Sequence, residues 1–390
     1  MTESRLKPGW RRVKFGDVVR LSKARCADPL AEGYERFVGL EHLEPGDLRI
    51  RSWGNVADGV TFTSVFQPGQ VLFGKRRAYQ RKVAVADFSG VCSGDIYVLE
   101  SLDTNVLLPE LLPFICQTDA FFEHAVGTSA GSLSPRTNWT SLAVFEFVLP
   151  PMEEQRRIVL MLSTLEENVV ALDAALTSAI ALEFSRLEDA LDSVSSDRLV
   201  PVEKLVTTGP RNGLSPKVNT DERGYPTLSI SAVRDGRIDT EGNVKYAEVT
   251  DEQATAFKLK KDDVLVVRGN GNKLLTGKCG LVDTVPKGCF YPDLLIRLQF
   301  DSDVMRPQFA ALQWNAPSTH KRLISRAKST NGIWKINGSD IRQHTLKAPS
   351  IDMQDLLLEE IQSIRQARAD IEKRKTLAMN LKATALKEIA

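Results

Sequence analysis

The chain carries one pattern twice, at offsets of 187 to 201 residues, and this duplication restricts its folding more than any other feature. Val13, Phe15 and Val18 pair with Val200, Val202 and Leu205 at an offset of 187. Phe37-Val38-Gly39-Leu40 pairs with Thr227-Leu228-Ser229-Ile230, and Gly46 with Gly236, at 190. Val71-Leu72-Phe73 pairs with Val264-Leu265-Val266 at 193, Asp95 with Asp293 at 198, Gly131 with Gly332 at 201 and Pro150 with Pro349 at 199. The offset drifts almost monotonically, as expected when loops lengthen between shared strands. Repeats this long are not the short units of a solenoid. They predict two domains of one design, each large enough to bury its own core.

Each copy runs through a proline stop into a long helix. Pro150-Pro151 fixes the start of the first, and Glu153 and Glu154 place carboxylates where the helix dipole favours them. Ile158, Leu162, Leu165, Val169, Leu172 and Leu176 alternate steps of four and three, the seam of a coiled coil. Ile180, Phe184, Leu187 and Leu191 are expected to continue that stripe. The second helix, after Pro349, holds a seam of Leu357, Ile361, Ile364 and Ile371 that Arg368 interrupts, resumed by Leu381, Leu386 and Ile389. The expected fold is therefore α+β: two mixed α/β domains in a pseudo-twofold repeat, separated by two long helices forming an antiparallel coiled coil. The boundaries predicted are 1–150, a helix over 151–196, a second domain over 197–349 and a helix over 350–390. The domains would then sit at the ends of a ruler. The plainer alternative has each helix packing only on its own domain.

Charge is distributed unevenly beneath a formal net charge of +1. Residues 152–197 hold three basic and ten acidic groups, whereas residues 198–350 hold 24 basic and 16 acidic ones. An acidic helix has the wrong sign for tracking a phosphate backbone, where cations displace condensed counterions. It suits contact with protein. The composition, 42% hydrophobic and 26% charged, is that of an ordinary globular chain. No membrane span or export signal is expected, the N-terminal Met1 to Lys7 lacking an apolar core. Five cysteines without a CxxC pair read as buried reduced thiols.

Two loops in each copy combine cations with small polar residues. The first lies between apolar strands, at Lys75-Arg76-Arg77-Ala78-Tyr79-Gln80-Arg81-Lys82, with five cations in eight residues. Such a loop suits phosphate clamping and bidentate arginine contacts to guanine. Its counterpart is Arg268-Gly269-Asn270-Gly271-Asn272-Lys273, returning through Gly277-Lys278. Here Asn270 and Asn272 are candidates for adenine edges. The second loop, just before each long helix, is Gly127 to Trp139 with Ser132, Ser134 and Arg136, matched by Ala327 to Asn337 with Thr330, Asn331 and Lys335. As plain structure, these are solvated turns with Trp139 and Trp334 as core anchors.

Leu149-Pro150-Pro151-Met152-Glu153-Glu154-Gln155-Arg156-Arg157-Ile158-Val159 resembles the phrase that opens the first spacer helix of type I restriction–modification specificity subunits. Val71 to Arg77 with Cys92-Ser93-Gly94-Asp95, and Val264 to Asn272, look like two of that family's target-recognition domain types. The resemblance covers nearly the whole chain. It implies two target-recognition domains, each reading a few base pairs of a bipartite site in double-stranded DNA. It also implies an antiparallel coiled coil docking two methyltransferase subunits, with Glu154, Gln155, Arg156, Arg157 and Ile158 at that interface. Methylation of adenine N6 would use S-adenosylmethionine held by the partner, with no cofactor in this chain, and a restriction subunit would supply cleavage. Such a protein works in the cytoplasm. Ser350-Ile351-Asp352-Met353-Gln354 departs from the wording of the first spacer, which bears on docking there. The DNA-binding residues expected, read from the loops themselves, are Lys75, Arg76, Arg77, Tyr79 and Arg81 with Ser132, Ser134 and Arg136, and Arg268, Asn270, Asn272, Lys273 and Lys278 with Thr330, Asn331 and Lys335.

Two rival classes are weaker. A stand-alone methyltransferase needs an Asn/Asp-Pro-Pro-aromatic motif, but Pro150-Pro151 stands between Leu149 and Met152. The P-loop-like run from Gly271 to Cys279 is one residue too long and ends in cysteine where magnesium needs a hydroxyl. His42, His124, His320 and His344 are scattered, so no metal site or catalytic centre is expected. A coiled-coil scaffold binding only protein would suit the acidic helix but leaves the Lys75–Lys82 loop without a purpose.

Overall fold

The computed structural model describes residues 6–389 apart from 196, 197, 220 and 235, and it leaves out the side chain of Thr330. The first five residues of the export-signal reading, the boundary residues 196 and 197, and Ala390 lie outside the described residues. The chain divides into two compact units, Met1–Ala174 with Glu372–Ala390, and Ala175–Ile371. Each unit therefore takes part of both long helices, Met152–Ser193 and Ile351–Lys387.

In the first unit, Arg11–Lys14 pairs antiparallel with Glu146–Leu149, so the strand leading into the first long helix is tied to the start of the unit. A four-stranded sheet runs in the order Val19–Leu21, Ile96–Ser101, Val71–Gly74, Val83–Val85. Val71-Leu72-Phe73 is buried on both faces, which explains its uninterrupted apolar run. A second sheet includes a parallel pair, Arg36–Val38 beside Gly90–Cys92. Helices Leu112–Gln117, Asp119–Gly127 and Trp139–Ala143 close one face. The core is aromatic: Phe15, Phe73, Phe121, Phe145 and Phe147 are each at most 5% exposed. Ile158 and Leu162 of the first long helix, Ala385 of the second and Ile389 just past its end join it.

The second unit repeats the plan. Leu199–Pro201 pairs with Thr345–Lys347. Val206–Asn212, Leu295–Phe300, Val264–Val267 and Cys279–Leu281 follow in the same sheet order as their counterparts, and two further short strands extend the sheet. Helices Pro307–Asn315, Pro317–Ile324 and Gly338–Arg342 recur in order. Trp314 is the bulkiest side chain of its core, which Leu187, Leu191, Leu357 and Ile361 of the long helices complete. The five cysteines are free and buried.

Within each unit the helix segments run antiparallel. In the first, Lys382 pairs with Glu166 and Lys375 with Asp173. In the second, Arg368 and Arg365 hold Glu183, and Arg186 holds Glu360. The seam as read needs correction at both ends. Ile180 is 39% and Phe184 44% exposed, while Glu183 is buried. Continuing the four–three steps beyond Leu176 passes through Ala179 to Glu183, so the carboxylate occupies the seam and the apolar neighbours fall outside it. Likewise Leu381 is 51% exposed, because the steps from Ile371 reach Lys375, Ala378, Lys382, Ala385 and Ile389. Arg368 does not interrupt the seam: it supplies the charge that Glu183 requires.

Candidate nucleic-acid interface

Backbone pairing brings the two candidate loops of the first unit together. Arg77 N–H donates to the Pro135 carbonyl at 2.7 Å, and Thr137 N–H donates to the Lys75 carbonyl at 3.0 Å. Arg76 bridges Arg136, which also bridges Ala130 across the turn. Arg77 and Arg81 adopt left-handed backbone, φ 53° and 56°, on either side of the short turn Ala78–Gln80. Each such residue costs about 1–2 kcal/mol and is kept only where its surroundings demand it.

Asp95 organises the cations. Its carboxylate accepts from Arg136 Nε at 2.7 Å and from Arg76 Nη1 at 3.2 Å, while Arg76 Nη2 donates to Ser134 Oγ at 3.0 Å. Partial burial opposes ionisation of Asp95, but the hydrogen bonds and charges of Arg136 and Arg76 outweigh it and hold the carboxyl below its ordinary range. Lys75 stacks its ammonium over Tyr97, 4.5 Å from the ring centre. Burial pulls the Lys75 ammonium below its ordinary range; Asp95 opposes this, and Arg136 and Arg25 add to it. Among the described residues, Nε of Arg76 and of Arg77 is buried without a hydrogen-bond partner. Tyr79 is 56% and Leu133, at the tip of the second loop, 90% exposed. Ser132 is exposed beside it. Arg81 faces back toward its own unit, bonded to Asp119 at 2.6 Å and stacked on Phe122.

The second unit joins its loops through a small sheet. Gly269–Asn270 pairs with Ile333–Lys335, which pairs with Lys328–Thr330. Asn331-Gly332 forms the two-residue turn between the latter strands with φ of 51° and 75°, the left-handed pair that tight hairpins require. Lys328 lies directly across from Lys335, and Lys273 stacks over Trp334 at 4.4 Å. Like charges placed opposite each other on a hairpin repel unless an anion joins them. Arg268 sits 3.6 Å from the Asp293 carboxylate and bonds that residue's carbonyl at 3.4 Å.

Three comparisons bear on this arrangement. Residues 9–181 match the type I restriction modification DNA specificity domain family. The type I restriction enzyme EcoKI specificity subunit of Escherichia coli (strain K12) is 27% identical over 96% of this chain and 86% of that protein. Over nearly its whole length the chain is thus similar to a type I specificity subunit. The EcoDI specificity subunit of Escherichia coli is 31% identical over 44% of the chain and 38% of its own length. Solved structures agree in fold. The type I system S subunit from M. genitalium gives a TM-score of 0.60 at 13% identity, covering 98% of this chain and 97% of that one. The HsdS subunit from Thermoanaerobacter tengcongensis gives 0.51 at 18% identity, covering 99% and 97%.

The paired loops carry the candidate DNA-binding residues of both units. Several expected contacts are placed otherwise. Asn270 Oδ1 accepts the Asn272 N–H, and Asn272 Oδ1 accepts the Leu274 N–H. Each amide oxygen thus spends one of its two acceptor positions on the turn. Lys278 is bonded to the Asn315 carbonyl at 3.1 Å. Asn331 and Lys335 are exposed on the hairpin. Trp139 packs against Phe15, whereas Trp334 is half-buried under Lys273.

The residues expected to dock a partner also divide. Glu154, Arg156 and Arg157 lie at the surface, with Arg157 bonded to Glu154 at 2.9 Å. Gln155 and Ile158 are only 1% and 3% exposed, which removes them from any such surface. Ile158 fills the core. Gln155 donates to the carbonyls of Val106 and Pro150 at 2.8 and 2.9 Å and accepts the Leu108 N–H at 2.9 Å. Gln354 repeats all three bonds, to Val304, Pro349 and Arg306, at 2.9, 3.0 and 2.8 Å. Sequence reading missed this staple, and it also missed Lys328 and the role of Asp95 and Asp293. The signal for the last was present, since the two acids pair at one offset in the repeat.

Proposed function

We propose that each unit reads one part of a split site in double-stranded DNA through its two paired loops, and that the chain assembles with methyltransferase subunits that modify adenine N6. One observation carries this reading: in both units, loops distant in sequence are joined by backbone hydrogen bonds into one cation-bearing surface. Such joining fixes cations relative to one another, which base reading needs and bulk phosphate attraction does not. The chain contributes recognition rather than catalysis; S-adenosylmethionine belongs to the methyltransferase, and restriction subunits complete the complex where cleavage occurs. Within this proposal the chain acts in the cytoplasm, with the DNA it reads. No helix among the described residues is long and apolar enough to cross a membrane.

The test is modified-base sequencing of DNA from cells expressing the chain together with its methyltransferase, against cells with the methyltransferase alone. The expected result is methyladenine in a split motif on both strands, present only with this chain. Methylation at the same sites without the chain would refute the assignment.

A further inference from the structure

Specificity and affinity for DNA make opposite demands on a loop rich in cations. Every free guanidinium strengthens attachment to any duplex, because each phosphate neutralised releases counterions whatever the sequence. A carboxylate in the same loop weakens that attachment. Asp95 nevertheless stands among Lys75, Arg76 and Arg136, with its side chain 20% exposed.

Its place in the fold recurs. Asp95 immediately precedes strand Ile96–Ser101, and Asp293 lies two residues before strand Leu295–Phe300. Those strands pair antiparallel with Val71–Gly74 and Val264–Val267. Arg76 and Arg268 follow the latter strands, and each faces the acid of the neighbouring strand. The loops around the two pairs share neither sequence nor conformation. An acid–arginine pair kept across such divergence has a role that does not depend on the particular bases read.

We infer that Asp95 and Asp293 are positioning residues for specificity: each holds its arginine in one orientation for a base edge and withholds it from indiscriminate phosphate contact. This rests on the DNA-reading function proposed above. Asp95 has the stronger hold, since its two oxygens fix Arg76 from one loop and Arg136 from the other. A guanidinium fork held in plane meets guanine O6 and N7 together, whereas a mobile one spreads over phosphates. Asp293 contacts one arginine, so its effect is the smaller.

The experiment uses the full chain co-purified with its methyltransferase. Binding is measured to a randomised duplex library, by selection and sequencing, and to a fixed duplex lacking the selected motif, over a salt series. Asp95→Ala is expected to raise affinity for the motif-free duplex at least threefold. The slope of log affinity against log salt should steepen by about 1 as a freed arginine takes a phosphate. Discrimination in the first half-site should fall at least tenfold while the second is unchanged. Asp293→Ala should do the same, more weakly, at the second half-site. Asp95→Asn keeps the shape and one acceptor oxygen; it should fall between, and it serves where the alanine variant does not fold. Weaker binding to the motif-free duplex, or equal loss of discrimination at both half-sites, would overturn the inference by showing that the acid merely supports the fold. A wild-type complex selecting no motif would instead refute the DNA-reading function itself.

Discussion

Replacing Gln155 tests whether the glutamine in the helix-opening phrase serves the fold or a partner. Its side chain makes three bonds of 2.8–2.9 Å and is 1% exposed, so water cannot replace them. Gln155→Met keeps the length and removes all three. The Leu108 N–H is then left buried, at a cost of about 1–3 kcal/mol, and the two carbonyls add less because an under-satisfied oxygen is tolerated better. A total of about 3–4 kcal/mol follows, lowering the first unit's midpoint by roughly 10 °C at about 2–4 °C per kcal/mol. A chain with two units need not unfold in one step, so the local assay is hydrogen exchange. Peptides covering 104–109 and 152–158 should lose protection in this variant, with peptides of the second unit unchanged. Gln354→Met should give the mirror result, its three bonds being 2.8–3.0 Å. A cost below about 1 kcal/mol, with exchange unaltered but methyltransferase binding lost, would refute the staple and return Gln155 to an interface.

Other outcomes follow from the same geometry. His344 is buried against Trp314, and burial, with Arg322 and Arg326 nearby, lowers its pKa to about 3. A histidine depressed in the folded state favours folding fully above its ordinary pKa and loses that contribution as pH falls toward the folded value. The second unit should therefore lose about 2 kcal/mol between pH 7.5 and 5 through this group, and His344→Phe should flatten that slope in calorimetry. Arg365→Ala combined with Arg368→Ala strands the buried Glu183 carboxylate and should cost about 3 kcal/mol, whereas Glu183→Leu should be neutral or stabilising in urea unfolding. The reverse order would remove Glu183 from the seam. Arg76→Ala should weaken or relax the first half-site alone, by about 1–3 kcal/mol in library selection; unchanged preference there would exclude it as a base reader.

What the sequence made legible was what rests on period and order. The 4–3 spacing from Ile158 to Leu176 and the drifting offsets of the repeat reflect backbone geometry, and the helices and strand order follow them. Polar residues were harder, because a residue type does not show where its hydrogen bonds go. Gln155 in a charged phrase reads as surface, yet two of its three bonds lie with residues 106 and 108, some 47 to 49 positions away. Arg368 reads as a break in an apolar row because its partner, Glu183, is 185 positions away. Asn270 and Asn272 have the chemistry of adenine readers, but their oxygens are claimed locally by the turn. The two loops of each unit could be picked out from the sequence, while the pairing between them and the partners of their side chains required the fold.

The duplication also separates what the fold requires from what its loops can vary. Shared features whose loss damages folding are the sheet order, the strand tied beside each long helix and the glutamine staple. The candidate DNA-binding residues differ between the units in loops anchored by those elements. The first unit pairs an arginine-rich loop with a serine turn, the second an asparagine turn with a lysine-bearing hairpin. In both cases the backbone bonds joining the two loops satisfy main-chain groups and so place little demand on side-chain identity. Side chains on those loops can therefore be exchanged while the scaffold retains its hydrogen bonds and core. Conformational demands are the limit on such exchange: Asn331-Gly332, Arg77 and Arg81 occupy left-handed backbone, and β-branched replacements there would strain the very turns that hold the loops together.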